Sequence, residues 1–276
     1  MDGGDFIHRN GKDNFRESVL AWNEMVRSGY HAVTLGELEF GQWDLVDSLM
    51  QNTALPVVCT NVEVLRDGEW KQLGERYRVV EVNGIRVGIL GVIAPAQLSP
   101  STLRDAAEII RALPPAEAIQ TAVAEILDRT DVIVLLAHVD PLSMEQYGST
   151  LAGVDVVLGG HMTRLDTAPV LASQALVNRS STRGQNLSVT RLIVSPEGAV
   201  VDYGGVNVTL DPEYPEDPEV AKAAEFAKAE GERVVKERIQ RRQEEAGFTI
   251  KPASDAEAPG GGAESPPEGI QTIQHR

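Results

Sequence analysis

Cysteine is nearly missing from this chain: Cys59 is the single one in 276 residues, so no internal disulfide can form and no Cys-x-x-Cys redox or metal unit exists. Cysteine usage therefore leaves the compartment open. Positive charge is also scarce, with 25 Lys and Arg against 41 Asp and Glu and a formal charge of −16. That balance argues against nucleic acid or an anionic membrane as the main partner, because both need a basic footprint. An anionic substrate would need local positive charge, from a metal ion or a few arginines. Long apolar runs are absent too. The longest, such as residues 132–137, have the length of buried strands and fall far short of the roughly 18 residues of a membrane span. Gly88-Ile89-Leu90-Gly91 lacks nucleotide-loop spacing, no Walker lysine follows it, and no Gly-x-Ser-x-Gly elbow offers serine chemistry.

What the chain does contain suits one large α/β domain, alone or with an appendage. It is 42% hydrophobic but only 5% aromatic. Val19, Leu20, Trp22, Met25 and Val26 make a helical stripe over residues 14–28, closed by Gly29. A buried strand is expected at 32–35, a helix at 43–51 and a strand at 56–59. Asn83-Gly84 between two apolar runs is the strongest short hairpin signal in the chain. A helix from Pro114-Pro115 to about residue 128, strands at 131–137 and 154–158, and short β pieces from 170 to 209 complete the pattern. Such alternation followed by hairpins fits layered mixed sheets. Asp217-Pro218 then opens a charged helix to about residue 246, whose stripe of Ala and Gly is thin. Pro, Gly, Ser and Glu dominate after Ala253, which predicts a disordered tail.

Four turns carry candidate ligands, three of them just after apolar runs, where open α/β sheets place their sites. They are Gly4-Asp5, Gly36-Glu37, Ala137-His138 and Gly160-His161-Met162-Thr163. Each of the four residue types has a plain reading as well. Asp5 suits a turn, Glu37 suits a helix start, and a lone histidine at a strand end is commonly just hydrogen-bonded. His8 and His31 read as surface residues, and His275 lies in the tail.

Taken in order, these turns resemble those of the calcineurin-like metallophosphoesterases, closest in the 5'-nucleotidase branch. That family reads Asp-x-His, Gly-Asp, Gly-Asn-His-Glu, a lone His, and Gly-His-x-His. Here Gly36-Glu37-Leu38-Glu39-Phe40 looks like the third turn, with Glu37 at the Asn ligand position and Leu38 at the position of the catalytic His. Residues 83–91 and 152–161 resemble the family's central hairpin and its approach to the last turn. The resemblance runs from about Asp2 to Thr209. It implies a four-layer α/β/β/α sandwich of two mixed sheets over residues 1–210, to which the residue pattern itself adds a charged C-terminal helix over 211–247 and a disordered tail over 248–276.

Carried over by position, the resemblance implies metal ligands at Asp5, Glu37, His138 and His161, serving one divalent ion (Zn, Mn or Fe) where intact relatives hold two. Thr163 stands at the second-ion histidine and the Asp-x-His strand is absent, so half of a binuclear site is expected to be lost. Arg164 and Arg183 are the implied phosphate contacts. Met1-Asp2-Gly3-Gly4-Asp5-Phe6 shows no signal peptide and begins on a turn that normally follows a buried strand, which suggests a shortened N-terminus. The family's usual home is periplasmic or extracytoplasmic. Two functions stay open: a weakened phosphoester hydrolase acting on a phosphorylated small molecule, or a non-catalytic domain that binds a ligand, or a protein partner through its C-terminal helix.

Overall fold

The computed structural model describes residues 1–7, 11–161, 166, 168–180 and 184–245. The chain divides into two units, Met1–Val235 and Lys236–Arg276. Within the described residues the second unit is the last part of one helix.

In chain order, the helices are α1 (Gly11–Arg27), α2 (Glu37–Phe40), α3 (Trp43–Asn52), α4 (Pro100–Leu103), α5 (Pro115–Ile126), α6 (Pro141–Thr150) and α7 (Pro218–Glu245). The strands are β1 (Val58–Arg66), β2 (Glu69–Gly74), β3 (Arg78–Val82), β4 (Ile85–Ile93), β5 (Ile110–Ala112), β6 (Val132–His138), β7 (Val156–Gly159), β8 (Val170–Leu171), β9 (Leu176–Arg179), β10 (Asn186–Val194) and β11 (Val200–Thr209).

Six strands form the larger sheet in the order β3-β4-β6-β7-β9-β8. Its centre, β4-β6-β7-β9, is parallel, and antiparallel β3 and β8 close its edges. Parallel strands buried on both faces read as continuous apolar runs, as Val132–His138 does with every residue buried. One face packs Leu90, Ile133, Leu135 and Val157 against Ile119, Val123 and Ile126 of α5 and Met144 of α6. The other face, with Ile89, Val134, Leu136 and Val156, turns inward toward a second β layer.

That layer comes in pieces. β2-β1-β5 is one antiparallel group and β10-β11 another. Single parallel bridges join Asp2 to Val33 and Val33 to Val57. The expected strand at 32–35 is therefore an extended segment with a ladder only at Val33, although Ala32, Val33 and Leu35 are fully buried. It is short because Thr34 leads at once into the Gly36 turn. Gly91 on β4 is obligatory where the two layers touch, since a Cβ there would strike the Val58 carbonyl. On the far side, Trp22 of α1, Phe40, and Trp43 and Val46 of α3 cover β1. The four layers are thus helices, six-stranded sheet, second β layer and helices, as the resemblance implied.

Between Val87, Val134, Val156 and Leu158 of the large sheet and Leu192 and Val194 of β10 lies an apolar cavity of about 420 Å³, with Met1 on its lining. α7 lays Ala227 and Gly231 inward and leaves Phe226 and Ile239 exposed, in keeping with its thin stripe. Arg27 reaches Asp217 at 3.0 Å near the start of that helix. The expected tail at 248–276 lies outside the described residues.

Candidate metal centre

Asp5, Glu37, His138 and His161 meet at the C-terminal ends of the parallel strands and the Val33 segment. Each offers one ligand-type atom, and these atoms lie within 4.8 Å of one another. Among the described residues this is the one such group of three or more.

His138 ends β6 and is fully buried. Its Nδ1 lies 2.7 Å from the Gly3 carbonyl, which calls for a proton on that nitrogen and turns Nε2 toward the Glu37 carboxylate at 2.6 Å. His161 follows β7 and brings Nδ1 to 3.1 Å from Glu37 Oε1. The two imidazoles meet edge to face, with centroids 5.1 Å apart. Asp5 sits 3.7 Å from His138 Nε2, and its Oδ1 accepts a hydrogen bond from the Leu38 amide at 2.9 Å.

Backbone close approach makes this convergence possible. A Cβ on Gly36 would strike Asp5 Oδ1 and lie 2.5 Å from His138 Cε1, and one on Gly160 would strike the Gly3 carbonyl. Gly4 and Asp5 both take positive φ, 93° and 65°. That turn is natural for Gly and tolerable for Asp.

The charges respond to one another. Burial alone would raise Glu37, but the His138 hydrogen bond and the charges of both histidines prevail and hold it at about 2. Burial would lower His138, yet Glu37 and Asp5 lift it above its ordinary value. Asp5 is raised, chiefly by burial, against the pull of His138. Glu39, wholly buried, is pushed up to about 7 by burial and by the Asp5 charge.

Glu39, in the same motif, carries no role that the sequence pattern reveals. Its carboxylate accepts the backbone N–H groups of Asp5 (2.8 Å), Gly36 (2.8 Å) and Ile7 (3.1 Å). A Glu three residues beyond a helix-starting Gly reads as half of a capping box, which hides its second attachment to the Asp5 turn. Leu38 packs its side chain toward the core around Phe40. Thr163, Arg164 and Arg183 lie outside the described residues, as does His8. His31 is exposed, as read from the sequence.

No family model matches the chain. The 5'-nucleotidase of Diplobatis ommata is 27% identical over 168 residues, covering 58% of this chain and 28% of that protein. Among solved structures, a 5'-nucleotidase precursor from Thermus thermophilus aligns with a TM-score of 0.73 at 26% identity, over 82% of this chain and 48% of the other. The calcineurin-like phosphoesterase YfkN from Bacillus subtilis shares the fold, with a TM-score of 0.67, 19% identity and 84% of both chains covered. The chain has the fold of the calcineurin-like metallophosphoesterases and is similar in sequence and structure to their 5'-nucleotidase branch. It spans about half or less of the length of the 5'-nucleotidases it matches.

The donor set of this centre fits one ion. Two carboxylates and two imidazoles suit borderline divalent cations. The Gly3 carbonyl on His138 Nδ1 is the outer-shell contact that usually fixes a ligating histidine. To bind an ion, Glu37 would exchange its hydrogen bond with His138 for the metal. No described helix is long and apolar enough to cross a membrane.

Proposed function

We propose that this chain is a phosphoester hydrolase domain of 5'-nucleotidase type, working weakly with one divalent ion held by Asp5, Glu37, His138 and His161. The supporting observation is the meeting of four donor side chains, from four separate turns, within 4.8 Å. When bound, the ion would supply Lewis-acid polarisation of a phosphoryl oxygen and a more acidic water.

The chain's own residues set the limits. Asp5 and Glu37 carry two negative charges that cancel those of a divalent ion, and the whole chain is at −16. The loaded centre would therefore attract a phosphate poorly. Leu38 has no proton to give a leaving group, and a missing acid-base group is worth roughly 10²–10⁴-fold. Thr163 offers no second-ion imidazole in this reading, while Arg164 and Arg183 would hold the phosphate. A phosphorylated nucleoside is the proposed substrate, by analogy with the 5'-nucleotidases it resembles. Residues 1–210 would form the hydrolase domain and 211–247 a helical appendage. An extracytoplasmic home is proposed because the Thermus relative is described as a precursor.

A second reading, a non-catalytic domain that keeps the fold, draws support from Glu37. It is within hydrogen-bonding distance of both histidines and closes the centre without any ion. Metal analysis with a nucleoside monophosphate phosphatase assay separates the two. Under the hydrolase reading the natural chain binds one ion and turns over slowly. His138→Ala and His161→Ala then lose the ion, and Leu38→His with Thr163→His raises turnover. Fast turnover by the natural chain would sink the claim of weakness, and no bound ion at any pH would favour the polar clasp.

A further inference from the structure

We infer that Glu39 is the positioning residue of this centre, locking the Gly4-Asp5 turn to the Gly36-Glu37 turn so that Asp5 and Glu37 aim at one point. The inference rests on the metal-binding reading above. The three hydrogen bonds of the Glu39 carboxylate all go to backbone amides and none to the four donor side chains.

The argument begins with what the three bonds connect. Oε2 accepts from the amides of Asp5 and Gly36, and Oε1 from that of Ile7. Asp5 and Gly36 are 31 residues apart in sequence (36 − 5), and each adjoins or is a residue of the donor set. One carboxylate thus spans both turns. A second tie, the Leu38 amide on Asp5 Oδ1, runs the other way across the same gap. The Asp5 backbone sits at φ 65°, a region sparsely used by residues other than Gly, and it needs an outside hold. The Asp5 N–H bonded to Glu39 provides one.

An ionised carboxylate suits this place because it accepts several hydrogen bonds and donates none. At 0% exposure it is costly to bury, and a core position beside Phe40 and Leu35 could have taken an apolar residue. An amide of the same size would set its NH₂ against one or more of the three N–H groups. One donor would be left unsatisfied and the two turns would part.

The test is Co²⁺ binding by the full chain, read by affinity and by the visible ligand-field spectrum. Glu39→Gln should weaken Co²⁺ binding at least about 10-fold and shift the bands, as loss of an outer-shell partner does. Glu39→Asp, which keeps the charge but withdraws it by one methylene, should lie between Glu39→Gln and the natural chain, and it serves if Glu39→Gln does not fold. Val46→Ala, in the same apolar cluster but on α3 rather than on either turn, is the stability control and should leave affinity and spectrum unchanged. Natural-like Co²⁺ binding in both Glu39 variants overturns the inference, and so does an equal loss in Val46→Ala. If the natural chain itself takes up no Co²⁺, the metal reading fails separately. The inference is then decided by the ring ¹⁵N shifts of His138 and His161, which Glu39→Gln should move and Val46→Ala should not.

Discussion

Glu37 and His138, 101 residues apart in sequence, bring carboxylate oxygen and imidazole Nε2 to 2.6 Å with the histidine fully buried. Nδ1 of the same ring faces the Gly3 carbonyl. Both ring nitrogens are thus matched to acceptors, and the end of β6 is tied to the start of α2 and to the N-terminal turn.

Removing the carboxylate should therefore be felt in stability even without metal. Glu37→Ala leaves the buried Nε2 without its partner, a loss of about 1–3 kcal/mol. Glu37→Gln keeps an acceptor oxygen and should cost less. Urea unfolding in the presence of a chelator measures both, and equal midpoints for Glu37→Ala and the natural chain would show that the contact contributes nothing.

The sheet interior offers a second test, because its two faces are packed differently. Val134 and Val156 line the cavity of about 420 Å³, while Val157 points into the tightly filled side under α6. Val134→Ile puts a methylene into empty apolar space and should stabilise by roughly 0.5–1 kcal/mol. Val157→Ile should instead destabilise by about 1–3 kcal/mol through overpacking. Thermal melts of the two variants should move in opposite directions. The same sign for both would mean the cavity walls collapse or the packed side yields.

These elements were unevenly legible from the sequence. Asn83-Gly84 forms the expected turn between β3 and β4, and the four turns carrying Asp5, Glu37, His138 and His161 do come together. The runs at 85–92, 131–137 and 154–158 have the length and apolar continuity of buried parallel strands, which marks the turns after them as strand ends. The β1–β2 hairpin escaped notice although Asp67 and Gly68 take the positive φ its turn demands. Five of the six residues of β2 are exposed, so no alternation marks it as a strand. The segment at 32–35 erred the other way: buried apolar residues promise a strand, but nothing in them reports how many ladder partners they find. Glu39 was invisible as a cross-link because its second attachment is to backbone 34 residues away.

Acid should weaken one surface contact in a defined window. The hydrogen bonds from the Arg86 side chain and amide hold Asp131 at about 2. Its folded value lies below the unfolded one of about 3.9, so its stabilising share is complete above that and is lost as pH falls toward 2. The advantage of the natural chain over Asp131→Asn in urea melts should be present near pH 6 and shrink steadily below about pH 4. A gap that stays constant down to pH 2 would mean the carboxylate is not selectively bound when charged.

The sharpest discrimination comes from His161, whose side chain is 35% exposed while that of His138 is sealed. A half-buried histidine whose partner Glu37 keeps its bond to His138 contributes little to apo stability, so His161→Ala should melt close to the natural chain in chelator. With an ion the two should separate. A ligand at 100 times its dissociation constant stabilises the folded state by about 2.7 kcal/mol, and removing one of four donors should abolish most of that. Differential melts with and without Mn²⁺ or Zn²⁺ read the difference directly. If His161→Ala keeps the full metal-dependent rise, His161 is no ligand and the centre is at most a three-donor one. If neither chain responds to any divalent ion, Glu37 and the two histidines form a polar clasp, and the phosphoesterase fold has outlived its chemistry here.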